Sequence, residues 1–298
     1  MFKNFEDLKN KLLNGKSKKI VVSNADLESI KAIKEAHENL GISYIFVGNK
    51  EEIKNICNEI NLNVIDENIV HTNSKEESAK KSVEIVKNGL ADILMKGKID
   101  TSTLLKAVVD KENGINNGTI MSHLTVLENP VYHKLLFITD AGMNIYPNLE
   151  QKKYIIKNAI DYLKILGYKN IKIGVMAAIE TVNPKMPETE DAQNLVDLFK
   201  KENVEGCIIE GPISLDIAIS EKSAKTKGSK SEIAGDIDIM VMPNIACGNI
   251  MSKSLVYLGN TIMAGIILGA KAPIVLTSRG ASSQEKLMSI LLTMVYSN

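Results

Sequence analysis

The chain has 298 residues, of which 44% are hydrophobic and 24% charged, enough apolar side chain to bury a sizeable core in one or two domains. Its 36 basic and 36 acidic side chains cancel, so no global field draws it onto nucleic acid, and no basic block or aromatic stripe suited to stacking bases is present. No apolar run nears the roughly 20 residues that span a bilayer, the early charges Lys3, Glu6, Asp7 and Lys9 do not read as a signal peptide, and Cys57, Cys207 and Cys247 fit neither a disulfide framework nor a CxxC metal site. The expectation is a cytoplasmic protein with no membrane segment and no nucleic-acid partner.

The first half alternates strand-like and helix-like segments, which predicts an α/β fold with a mainly parallel sheet. Lys18 to Ser23 reads as a short strand. Leu27, Ile30, Ile33 and Ala36 then recur at helical spacing, with Gly41 placed to end the helix. Ser43 to Val47 is a second strand, Glu51 to Ile60 a second helix, and Val64 to Val70 is weakly strand-like. Ser74 is placed to cap a helix running to Val86, with Glu77 completing a capping box. Ala91 to Met95 returns to strand. Thr119 to Leu127 and Lys134 to Thr139 flank Glu128-Asn129-Pro130, the pattern of an antiparallel hairpin. A helix is expected over Leu149 to Leu166, and Ile171 to Ala178 opens a second alternating series. Glu188 to Lys200 is a helix, Gly206 to Ile209 a strand, and Lys222 to Ser231, polar and cationic, a surface loop. Asp238 to Met242 is strand, Gly248 to Leu258 helix, and Ile262 to Leu268 an apolar run. The fold class is α/β, two α/β lobes with a cleft between them: residues 1–140, completed by 272–298, form the first lobe, and 141–271 the second.

Several strands run into short polar or glycine-bearing turns: Met95-Lys96-Gly97-Lys98, Glu210-Gly211-Pro212, Met242-Pro243-Asn244 and Thr277-Ser278-Arg279-Gly280. Ligands of such sheets bind beyond the carboxyl ends of the strands. Gly97 lets backbone approach a ligand, Lys96 or Lys98 could reach a phosphate, and Thr101 or Thr103 could cap the next helix. Each turn could equally be an ordinary strand-to-helix connection. Arg279 stands out because it is the chain's one arginine against 35 lysines. Its planar fork grips phosphate or carboxylate bidentately, which lysine cannot do. Asp140 and Asn144, beside Gly142, could bind a ligand or only stabilise a turn, and Thr189 or Glu188 could simply cap a helix. His123, after Ser122, reads either as a satisfied, partly buried histidine or as a functional one. There is no GxGxxG after the first strand, no P-loop, no nucleophile elbow and no zinc spacing.

Taken together, Met95-Lys96-Gly97, Met121-Ser122-His123, Thr139-Asp140, Asn183 to Ala192, Glu210-Gly211-Pro212 with Leu215-Asp216, Met242-Pro243-Asn244 with Gly248-Asn249, and Ala272 to Arg279 resemble the phosphate acetyl/butyryltransferase family over nearly the whole chain. The Asn183-Pro184-Lys185-Met186-Pro187 segment is more similar to the butyryl branch. The resemblance implies an isocitrate/isopropylmalate dehydrogenase-like fold, a homodimer or higher homo-oligomer, and the reaction acyl-CoA plus phosphate giving acyl phosphate plus CoA. It carries catalytic roles onto Ser278, Arg279 and Glu285, the last standing where the acetyl branch has Asp. Substrate contacts are expected from Lys96, Gly97, Thr101, Ser122, His123, Asp140, Asn183, Pro243, Asn244 and Gly248. No metal and no cofactor is required, since CoA is itself a substrate and a ternary complex can supply proximity. Two alternatives remain: phosphate acetyltransferase and, more remotely, a metal- and NAD-dependent hydroxyacid dehydrogenase of similar fold, which needs clustered arginines that this chain lacks.

Overall fold

The computed structural model describes residues 1–12, 17–278 and 280–295. Internal contacts divide the chain into two compact units. The first comprises Leu8–Thr119 and Ala264–Asn298, the second Met1–Asp7 and Ile120–Met263.

After helix α1 (Phe5–Leu12), the first unit alternates β1 (Lys19–Ser23), α2 (Leu27–Leu40), β2 (Ser43–Gly48), α3 (Lys50–Glu59), β3 (Ile69–His71), α4 (Lys75–Lys87), β4 (Ile93–Lys96) and α5 (Thr101–Val108). Local chemistry sets these boundaries. Asp26 caps α2 in a reciprocal box with Ser29, and Gly41 ends it in the left-handed conformation at φ 66°. Ser74 accepts the Glu77 N–H at the start of α4, as its sequence predicts. The Glu77 carboxylate, however, reaches one residue further back, to the N–H of Asn73 at 2.8 Å, so the reciprocal half of the box is displaced.

The second unit begins with β5 (Ser122–Glu128) and β6 (Leu136–Thr139), an antiparallel pair with Leu124 opposite Thr139. There follow α6 (Leu149–Ile165), β7 (Ile171–Met176), α7 (Pro187–Glu202), β8 (Cys207–Ile213), α8 (Leu215–Ile219), α9 (Glu221–Thr226), β9 (Ile239–Val241) and α10 (Ile245–Gly259). Its strand order is β5-β6-β9-β7-β8, with β6, β9, β7 and β8 parallel. Part of the segment expected as a surface loop is helical. Ser220 caps α9 by accepting the Ser223 N–H at 3.1 Å, Glu221 pairs with Lys225 at 2.6 Å, and Ala224 is buried. The helix α8 has no counterpart in the sequence reading.

The chain then runs through β10 (Ile262–Leu268), whose residues from Ala264 onward belong to the first unit, to β11 (Ile274–Val275) and α11 (Ser283–Thr293). Within the first unit the order is β3-β2-β1-β4-β11-β10, all parallel except β10, which runs antiparallel to β11. Each unit is thus a mixed α/β layer structure. In the first, Ile20, Val22, Met95 and Val275 on one sheet face pack against Ile30 and Ile33 of α2 and Ile290 of α11. In the second, Ile138 and Met240 pack with Ile217, Ile233 and Ile237. Among the described residues no helix is long and apolar enough to cross a membrane.

Candidate active site

Adjacent parallel strands β1, β4 and β11 end together in the first unit, and their register places Ser23 opposite Lys96 and Val275 opposite Met95. Beyond them lie the turns singled out in the sequence. Gly97 is required by close approach. A Cβ there would sit 2.3 Å from the carbonyl oxygen of Asn24 and 2.8 Å from that of Ser23, while its N–H donates to Ser23 at 2.9 Å. This contact stitches the ends of β1 and β4. The Lys96 side chain is buried at the rim, its Nζ 3.3 Å from the Thr277 carbonyl oxygen and 3.5 Å from that of Gly97. Thr101 is the first residue of α5, whose N-cap position belongs to Asp100.

Ser278 follows β11 and is exposed; its Oγ accepts the Gly280 N–H at 3.2 Å. Arg279 lies outside the described residues. Glu285 sits at the third position of α11, where its Oε2 accepts the Ser282 N–H at 2.8 Å and the Ser282 Oγ accepts the Glu285 N–H at 3.2 Å. The structure therefore brings Lys96, Gly97 and Ser278 to one set of strand ends. It seats Glu285 at the start of the helix that follows.

One further side chain meets this rim. Lys286 is 1% exposed, and its Nζ lies 3.5 Å from the Thr277 Oγ1. Burial holds its ammonium below the usual lysine range, against the opposing fields of Asp26, Glu28 and Glu285. The sequence carried the signal: Lys286 stands four residues before the buried Ile290 on α11, hence on the face that packs inward.

In the second unit, Asp140 organises its surroundings. Its Oδ1 accepts the N–H groups of Gly142 and Met143, both at 2.8 Å; its Oδ2 accepts the His123 N–H at 3.0 Å and the Asn144 Nδ2 at 2.6 Å. The His123 ring lies over Gly142, where a Cβ would come 2.9 Å from its Nδ1. Ser122 is buried and its Oγ accepts from Asn158 Nδ2 at 3.1 Å. The start of α10 closes on the same loop. Asn244 caps that helix by accepting the Cys247 N–H at 3.1 Å, directly after Pro243. A Cβ on Gly248 would meet the Asp140 carbonyl oxygen at 2.6 Å. Ser122, His123, Asp140 and Gly248 thus form one cluster. Asn183 is placed apart from it, its hydrogen bonds staying within its own turn: N–H to Thr189 Oγ1 at 2.9 Å, and Oδ1 from the Lys185 N–H at 3.0 Å.

Comparison with known proteins agrees in one direction. The sequence model of the family described as "Phosphate acetyl/butaryl transferase" matches residues 50–294. The chain is 40% identical to a phosphate butyryltransferase of Clostridium acetobutylicum over 98% of this chain and 97% of that protein. It is 38% identical to a phosphate acetyltransferase of Thermotoga maritima, over 96% of this chain and 97% of that one. Among solved structures, a branched-chain phosphotransacylase from Enterococcus faecalis V583 superposes with a TM-score of 0.81 at 32% identity, covering 93% of this chain and 98% of that one. The fold alone extends further. A putative 4-hydroxythreonine-4-phosphate dehydrogenase from Salmonella typhimurium matches with a TM-score of 0.56 at 15% identity, covering 94% of this chain and 99% of that one.

Proposed function

The chain belongs to the phosphate acetyl/butyryltransferase family, and from that membership we propose that it moves a short-chain acyl group, butyryl by preference, between coenzyme A and inorganic phosphate. The observation that carries the reading is the rim of the first unit. Ser278 stands exposed at the end of β11, next to a residue whose carbonyl takes the buried ammonium of Lys96. Both substrates are anionic, and such strand ends are where α/β sheets receive them.

In the proposed reaction the CoA thiolate attacks the acyl phosphate carbon directly; the new thioester C–S bond replaces the acyl C–O bond, and phosphate leaves with the electron pair. The thiol has an ordinary pKa near 8.5, so a proton acceptor is needed at neutral pH. Glu285 is assigned that role. Its Oε2 is engaged by the Ser282 N–H, leaving Oε1 to accept a proton directly or through water. Ser278 donates to the sulfur or to the carbonyl oxygen. Arg279 holds the phosphoryl group bidentately, and Lys96 adds a second positive charge. One positioned donor of this kind is worth about 10²–10³ in rate. In the second unit, Ser122 and His123 at the start of β5, Asp140, Asn183 and the Pro243–Asn244–Gly248 segment are assigned to the coenzyme and acyl group. The reaction uses no metal and no redox cofactor.

The butyryl preference rests on the Asn183 to Pro187 segment. Identity alone does not separate the branches, since a phosphate acetyltransferase stands at 38% and a phosphate butyryltransferase at 40%. The dehydrogenase alternative has only fold likeness behind it. We place the protein in the cytoplasm as a homodimer or higher homo-oligomer, a setting consistent with its three unpaired cysteines. The deciding experiment is release of free CoA thiol from acetyl-, propionyl-, butyryl- and valeryl-CoA with and without phosphate. Release that needs phosphate or arsenate, persists in EDTA and shows highest kcat/KM on butyryl-CoA is the expected result. Equal hydrolysis without phosphate refutes transfer, and a preference for acetyl-CoA moves the chain to the sister branch.

A further inference from the structure

Two lysines of this protein are buried to the same degree yet are treated differently by their surroundings. Lys134, 1% exposed, is paired in the usual way for a structural cation, with Asp238 Oδ1 at 2.7 Å and the Asp236 carbonyl oxygen at 2.8 Å. Lys286, also 1% exposed, forms no ion pair among the described residues, and the one hydrogen bond its ammonium makes to them is the 3.5 Å contact to Thr277 Oγ1. The carboxylates whose fields reach it are committed elsewhere. Asp26 accepts from the Ser29 N–H at 3.3 Å, Glu28 from the Ser283 N–H at 2.9 Å and Glu285 from the Ser282 N–H at 2.8 Å. A charge taken out of water without a partner costs several kcal/mol, so such an arrangement persists where something else compensates it.

The same strand ends hold a second unsatisfied group. Ser23, fully buried at the end of β1, has a hydroxyl with no hydrogen-bond partner among the described residues. It pairs in register with Lys96, so the two side chains leave the sheet on one face. Lys286 approaches Thr277 through its side-chain oxygen, Lys96 through its carbonyl. Two ammonium groups therefore meet at Thr277, the residue that precedes the exposed Ser278, and the Ser23 hydroxyl lies at the end of β1, with β4 between it and β11.

We propose that Lys286 and Ser23, together with Lys96, form the subsite for inorganic phosphate or the phosphoryl group of the acyl phosphate. The inference rests on the phosphate acyltransfer reading and adds to it two residues to which that reading gives no role. Phosphate is the ligand class that fits. Its oxygens accept from ammonium and hydroxyl donors together, and its two negative charges match two cations, whereas a thioester carbonyl is neutral and gives no reason for a second buried ammonium.

The test uses the full chain as wild type, Lys286→Met, Lys286→Gln and Ser23→Ala. Thermal midpoints are recorded against increasing inorganic phosphate, with chloride at matched ionic strength as control, and phosphate half-saturation is read from thiol release. Wild type is expected to be stabilised by phosphate. Both Lys286 variants should melt higher than wild type without phosphate, lose the phosphate response, and need about tenfold more phosphate for half-saturation, with the KM for acyl-CoA unchanged within about twofold. Ser23→Ala should weaken the phosphate response by a smaller factor. An unchanged phosphate half-saturation in both lysine variants overturns the subsite, as does failure of both to fold, which would make Lys286 structural. The two readings fail separately. Phosphate stabilisation without thiol release in wild type ends the transferase reading and leaves the subsite. Phosphate-dependent thiol release with variants indistinguishable from wild type does the reverse.

Discussion

Glu285 Oε2 accepts the backbone N–H of Ser282 at 2.8 Å, while Ser282 Oγ accepts the backbone N–H of Glu285 at 3.2 Å. The side chain assigned as proton acceptor is therefore also one half of the capping box that starts α11, and two substitutions separate these jobs. Glu285→Gln keeps an oxygen for the Ser282 N–H but removes the base. Its thermal midpoint should stay near that of wild type while kcat falls by about 10²–10⁴. Glu285→Ala loses both, and should cost a further ~0.5–2 kcal/mol of stability. Thermal unfolding and steady-state kinetics on the pair check this; a fully active glutamine variant removes Glu285 from the chemistry.

Arg279 is the one arginine in the chain, and the family resemblance and the planar fork of its side chain together give it its proposed role. Lysine keeps the charge but offers no planar fork, so Arg279→Lys should lower kcat/KM for butyryl-CoA and phosphate by about 10²-fold, with Arg279→Ala lower still. Thermal midpoints should barely move. Near-normal activity in the lysine variant would show that charge suffices, and a collapse in midpoint would show that the arginine supports the fold.

Gly97→Ala tests the stitch between β1 and β4. The new Cβ would meet backbone oxygens of Asn24 and Ser23, at 2.3 and 2.8 Å, which cannot swing aside as a flexible side chain would. A destabilisation of about 1–3 kcal/mol is expected. Because Lys96 is the preceding residue, phosphate half-saturation should rise too. Denaturant unfolding measures the first effect and phosphate titration of thiol release the second.

The pH dependence of stability should report on Asp236 in the second unit. Burial opposes its ionisation, but hydrogen bonds from Lys134, Lys172 and His133 outweigh burial and hold the carboxyl well below the usual carboxylate range. A carboxyl depressed in the folded state stabilises at neutral pH, and that contribution is lost as pH falls through the ordinary carboxylate range toward the folded value. Wild type should therefore lose thermal stability on acidification below about pH 5. Asp236→Asn should start less stable at pH 7 and show a flatter acid limb; parallel limbs would rule the cluster out as the cause.

Much of the fold was legible because its elements repeat apolar residues at the period of their structure. Ile30, Ile33 and Ala36 lie on the buried face of α2, and the run from Thr119 to Thr139 contains the expected hairpin. The helix at Glu221–Thr226 escaped because a single buried residue, Ala224, supplies no period, and its stability comes from a cap and an exposed ion pair. The strand-end turn with Lys96, Gly97 and Ser278 could be read from glycine and serine punctuation. The inward-facing position of Lys286 could be read from its spacing to Ile290, but its burial without an ion pair among the described residues, and that of the Ser23 hydroxyl, are three-dimensional facts with no local signature. The Glu77 carboxylate bonding Asn73 in place of its own cap shows the same limit at smaller scale.

Thr277 receives the ammonium of Lys96 from 181 residues away in sequence. During synthesis at about 5–20 residues per second, roughly 9 to 36 seconds separate the appearance of the two from the ribosome. Through that interval the nascent first unit has β4 without its β11 neighbour, an open sheet edge with hydrogen-bonding groups waiting, while the second unit from Ile120 to Met263 is already being completed. The strand-end rim is thus completed only after the residues of the second unit have been made. Ribosomes that stall before Ala264 leave a chain with an unfilled strand position and no Ser278, a ready substrate for chaperones and proteases.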